Sequence, residues 1–98
     1  MNRLLAAGRR TGEPMWQLPL EQEYKKGFTS GPAQLRNIGK TSASTISGAL
    51  FLQSFVRSAR WAHLDIAASS WTDEERPYTP RGGTGVPART LCEFLLGF

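Results

Sequence analysis

The residues best equipped for chemistry in this chain are few. Among 98 residues there is one histidine, His63, and one cysteine, Cys92. The carboxylates are Glu13, Glu21, Glu23, Asp65, Asp73, Glu74, Glu75 and Glu93. In the stretch WAHLDIAASSW, His63 and Asp65 stand two positions apart. On a strand that spacing turns both side chains to one face. Such a pair could hydrogen-bond a ligand, and it equally suits a strand whose polar groups satisfy their neighbours. A structural zinc site wants about four Cys or His ligands, which one of each cannot supply. A two-metal carboxylate centre needs several acids converging on one point. The densest group, Asp73-Glu74-Glu75, stands beside Arg76 in a segment that reads as a solvated turn. Serines are plentiful, but no G-x-S-x-G turn accompanies them, so a Ser-His-Asp triad has no local signature. Gly82-Gly83-Thr84-Gly85 ahead of a helix suggests anion binding. It lacks the P-loop lysine and spacing, and a flexible approach to a helix is the plainer interpretation.

The elements that must position these residues follow from apolar spacing and breakers. Residues 2 to 10 read as a helix through Leu4, Leu5 and Ala7, stopped by Gly12 and Pro14. Residues 15 to 18 suit a short extended piece. Pro19 can open a second helix running to Lys26, because proline is tolerated in a first turn. Residues 34 to 38 form another possible extended piece. A third helix is expected from about Thr45 to Arg57. Its apolar residues, Ile46, Ala49, Leu50, Phe51, Leu52, Phe55 and Val56, leave only a narrow polar strip, so it expects cover on more than one side. Trp61 to Ala67 alternates as a strand should. Residues 69 to 85 read as a long loop. Pro87 then sits in the first turn of a last helix, whose apolar stripe is Ala88, Leu91, Cys92 and Leu95. Three to four helices with one clear strand at 61–67 and short extended segments make an α/β pattern.

Length and composition permit one small domain. A chain of this size buries roughly 65% of its unfolded surface, which leaves little material to cover the apolar third helix. Composition, 40% hydrophobic and 20% charged, is ordinary for a globular protein. Apolar runs are too short to span a membrane, and Met1 is not followed by a secretory-type apolar stretch. A single cysteine forms no internal disulfide, and a reducing, cytoplasmic setting is expected. Net charge is +4, but the basic residues are scattered with no long run, so nucleic acid is not an expected partner.

Five stretches in one order carry a resemblance: GRRTGEPMWQLPLEQEY, AQLRNIGK, ISGALFLQSFV, WAHLDIA and GGTGVPARTLCEFL. Together they resemble the C-terminal end of the leucyl aminopeptidase (cytosol aminopeptidase) family, over roughly residues 4 to 97. The resemblance implies a C-terminal fragment of an α/β/α sandwich, with residues 1–98 forming part of one catalytic domain and no second domain. Family members are metal-dependent exopeptidases that release N-terminal residues from peptides. Two divalent cations, zinc or manganese, hold the substrate's amino group and activate water. A lysine and an arginine assist, and the enzyme is a cytoplasmic homohexamer.

The family's metal ligands, its catalytic lysine and its N-T-D-A-E-G-R run belong upstream of the matched region, and no such run is present here. The resemblance therefore implies scaffold and part of the substrate-pocket wall, with no catalytic or metal-binding residue and no cation bound by this chain alone. Three positions match pocket-lining ones: Ile38, Ala67 and Ser70, the last where some members place methionine. The departures are Gln34 for the usual Asp, Ala68 for the usual Gly after "D-I-A", and SASTIS for a glycine-rich approach to the apolar helix. Two functions follow as expectations. One is a C-terminal portion of an aminopeptidase, inactive alone and completed by the upstream part of the catalytic domain. The other is a stand-alone, non-catalytic scaffold or protein-interaction remnant of that family.

Overall fold

The computed structural model describes residues 1–28 and 44–97. The expected extended piece at 34–38 lies outside the described residues. Two compact units are present: one joins Met1–Trp16 to Leu64–Phe98, the other is Gln17–His63.

The first unit is built on two helices, α1 (Asn2–Thr11) and α3 (Ala88–Leu95). Leu4, Ala7 and Gly8, at i, i+3 and i+4, give α1 its buried face. Gly12 ends the helix in the left-handed conformation (φ 73°), and both its N–H and that of Glu13 return to the Gly8 carbonyl. Gly8 is required by close approach: a Cβ there would stand 2.6 Å from the Glu13 carbonyl oxygen. Where α1 meets α3, Arg10 pairs with Glu93 at 2.7 Å and the Arg3 guanidinium lies over the Phe94 ring at 5.2 Å.

The apolar stripe expected to bury α3 does not do so within the described residues. Leu91 is 39% exposed, Leu95 79% exposed, and Ala88 and Cys92 are exposed as well. The buried residue of α3 is Thr90. The reason is a polar contact that outcompetes the stripe for the α1 side.

The same unit contains a small hairpin where a plain loop was expected. Strand β1 (Trp71–Thr72) pairs antiparallel with β2 (Gly82–Gly83), Trp71 facing Gly83. Further out, Arg76 and Thr79 exchange both backbone hydrogen bonds at 3.0 Å around the tip. The charge and glycine that marked a loop are the residues of a tight ribbon.

The second unit holds a 3-10 helix (Gln22–Phe28) and α2 (Ser44–Gln53). Pro19 leads into the tighter 3-10 form rather than the expected α-helix. Helix α2 buries Ser47, Ala49 and Leu50. It stops at Gln53, short of the expected Arg57. The Ser54 hydroxyl bonds back to the Leu50 carbonyl at 2.9 Å, and Phe55 and Val56 donate to carbonyls three residues behind. Leu52 and Phe55 are exposed, so burial offers no reward for extending the helix. Within α2 itself Leu52 is the exposed apolar residue, so the helix is left open on that side alone among the described residues.

The strand expected at 61–67 is not formed: residues 60–66 are in neither helix nor strand, and a turn follows. A ladder needs a partner strand, and none of the described residues pairs with this segment. Its alternation survives locally, since the rings of Trp61 and His63 stack at 6.1 Å. Helices with one small sheet still place the chain in the α/β class.

Candidate functional site

Ala67 and Ser70, the two expected pocket positions among the described residues, occupy one turn within the first unit. The Asp65 carboxylate accepts the Ala67 N–H at 3.0 Å, an Asx-type turn. The Ile66 carbonyl accepts the N–H groups of Ser69 and Ser70 at 2.9 and 2.8 Å. The turn is then fastened from across the hairpin. The Thr84 N–H donates to the Ser70 carbonyl at 2.9 Å, and the Thr84 hydroxyl donates to the Ser69 carbonyl at 2.6 Å. Ala67 is exposed and Ser70 half-buried. Ile38 lies outside the described residues. Ala68, in place of the family glycine, costs no backbone strain, because Tyr78 is the one non-glycine with positive φ among the described residues.

A half-open cavity of about 290 Å³ borders this turn, with Ala68, Ser69, Thr84, Val86 and Arg89 among the residues that line it. Neither Ala67 nor Ser70 lines it.

The second organised cluster, Glu13 with Thr90, is one that spacing did not single out. Glu13 is buried just past the end of α1. Its Oε2 accepts the Thr90 N–H at 2.8 Å and the Thr90 hydroxyl at 2.7 Å, while its Oε1 accepts from Arg89 Nε at 3.1 Å. Pro87, at the N-cap of α3, makes no side-chain capping bond. The orphan N–H of the first turn is therefore capped by a carboxylate 77 residues away in sequence. Burial alone would raise the Glu13 pKa. The bonds from the Thr90 hydroxyl, the Thr90 amide and Arg89, together with the Arg89 charge, outweigh it and hold the carboxyl below its usual range. A carboxylate only accepts, so the one hydroxyl proton of Thr90 goes to Glu13. Thr11, 3.0 Å from Thr90, then donates either to it or to the Ala7 carbonyl, also at 3.0 Å. Pro87 without a Ser, Thr, Asp or Asn beside α3 was the available signal that the cap comes from elsewhere.

The residues present do not fit a dinuclear metal centre. Among the described residues no three of His, Cys, Asp and Glu converge. The acids near the turn have other partners: Asp73 accepts from the Trp71 indole at 3.2 Å and Glu74 pairs with Arg76 at 2.9 Å. Nor is any helix among the described residues long and apolar enough to cross a membrane.

Solved structures match this arrangement closely. The bottromycin maturation enzyme BotP in complex with Mn superposes with a TM-score of 0.87 at 44% identity, covering 96% of this chain and 21% of that one. A mutant of tomato leucine aminopeptidase gives 0.86 at 35% identity, covering 97% of this chain and 18% of that one. The fold is thus one that this chain shares with a leucine aminopeptidase. The model of the cytosol aminopeptidase family's catalytic domain matches residues 1–92, and the chain belongs to that family. A probable cytosol aminopeptidase of Geobacter sp. (strain M21) is 49% identical over 92 residues, 94% of this chain and 19% of its own length. One of Gloeobacter violaceus is 50% identical over 91 residues, 93% of this chain and 18% of its own length. The chain thus spans about a fifth of the relatives it matches, and corresponds to a C-terminal segment of them.

Proposed function

We propose that this chain acts as the C-terminal portion of a metal-dependent leucyl aminopeptidase that releases N-terminal amino acids from peptides. Its contribution is scaffold and part of the wall of the pocket that receives the released side chain, through Ile38, Ala67 and Ser70. The turn from Asp65 to Ser70 supports this reading most directly: it presents Ala67 to solvent while fixing the backbone on both sides. Rigid backbone with a small exposed side chain is what a pocket wall requires. The exposed stripe of α3 and the exposed Leu52 of α2 fit burial against the upstream part of the catalytic domain. The two cations, zinc or manganese, would be held by that upstream part and would supply Lewis-acid activation of water. The complete enzyme would be a cytoplasmic homohexamer acting on peptides.

The test is an assay with leucyl-p-nitroanilide and added Mn²⁺ or Zn²⁺. The purified chain should show no metal-dependent turnover. The same chain joined to the upstream four-fifths of the Geobacter relative should show it. Turnover by the chain alone, or an inactive but folded fusion, would overturn the reading.

A further inference from the structure

Thr84 stands outside the pocket positions, yet it makes the bonds that reach the turn from across the hairpin. It follows directly on β2, and its N–H to Ser70 carries the β1–β2 pairing one position past Trp71 and Gly83. A ladder bond of this kind needs only a backbone. The bond from its hydroxyl needs this side chain: at 2.6 Å to the Ser69 carbonyl it is short for an O–H donor. The same oxygen accepts the Val86 N–H at 3.3 Å, so one hydroxyl joins the turn to the segment leading into α3. Ala68, Ser69 and Thr84 all border the half-open cavity, so packing there does not replace the hydroxyl bond if it is lost.

We infer that Thr84 is a positioning residue for substrate selectivity, holding the Ser69–Ser70 backbone so that Ala67 and Ser70 keep their place in the pocket wall. This rests on the reading that those two residues border the released side chain. The hydroxyl acts on the wall and not on the reacting atoms. Its removal should alter discrimination between side chains more than it alters turnover of a small one.

The experiment uses the active fusion described above and measures kcat/KM for leucyl- and alanyl-p-nitroanilide. Thr84→Val keeps shape and removes the hydroxyl. It should change the leucyl-to-alanyl ratio about tenfold, the scale on which apolar pockets discriminate single groups, and leave alanyl kcat within about twofold. Thr84→Ser, which retains the hydroxyl, should restore the parent ratio. Ser70→Phe, which fills the wall directly, tests the underlying reading. If Ser70→Phe moves the ratio and Thr84→Val does not, the positioning role is wrong and the pocket reading stands. If neither moves it, the pocket reading falls and the role of Thr84 with it. Both rates come from the same sample, so the ratio is independent of how much enzyme folds. If Thr84→Val is insoluble, Thr84→Ala gives the same measurement.

Discussion

Glu13 and Thr90 form a helix cap across 77 residues of sequence: one carboxylate oxygen receives both the amide and the hydroxyl of Thr90, at 2.8 and 2.7 Å. The contact fixes which side of α3 meets α1 and so determines which side is left exposed. Replacing Glu13 by Gln keeps the shape but removes the charge and one acceptor. Buried hydrogen bonds to charged groups contribute about 1.5–3 kcal/mol. E13Q should therefore lower the unfolding free energy, read from urea titration of the helical circular dichroism, by an amount of that order, with a lower midpoint. An unchanged midpoint would mean that the cap is not a source of stability.

The pH dependence has a definite sign. The folded carboxyl of Glu13 lies below its usual range, so the contribution is complete above the unfolded value and is lost as pH falls through the folded one. The stability gap between the parent and E13Q should be flat near neutrality and close on acidification below the ordinary glutamate range. A gap that widens in acid would contradict the assignment.

Gly8→Ala tests the close approach inside the first unit. In a free helix, alanine would be better than glycine by about 1 kcal/mol. Here the new Cβ would stand 2.6 Å from the Glu13 carbonyl oxygen and 2.9 Å from Met15 Cε. Met15 can swing away, but the carbonyl belongs to the turn that ends α1. Overpacking of this kind costs about 1–3 kcal/mol, so G8A should melt lower than the parent. A higher melting temperature would show that the turn yields easily.

The exposed face of α3 makes the isolated chain sticky. Leu91, Leu95 and Leu96 are all exposed. The purified chain should bind the dye ANS and sediment faster than a monomer, and the double substitution L91E and L95E should reduce both. A parent that leaves ANS dark and sediments as a monomer would show that this face is covered within the chain.

Legibility in the sequence followed the range of the interaction. Helices α1 and α3 were readable from local signals: Leu4 and Ala7 against Gly12 for the first, Pro87 for the second. The end of α2 was overrun because nothing in its apolar run announces that the Ser54 hydroxyl turns back on Leu50. The strand at 61–67 has the right alternation, but a strand also requires a neighbour, and alternation says nothing about one. The hairpin was hidden because pairs such as Trp71 with Gly83 depend on register across an intervening tip. Ala67 and Ser70 were singled out as expected pocket positions through family motifs. Thr84 and Glu13 were not, since their partners lie 15 and 77 residues away.

Among the described elements, helix α1 comes first in chain order and is completed by the last of them, α3. Until residues 88 to 95 leave the ribosome, Glu13 has no amide to cap and the α1 face of Leu4 and Ala7 has no α3 beside it. The nascent chain must carry that face without α3 through the making of everything between, so the cap that joins the two helices closes late in the folding of the first unit.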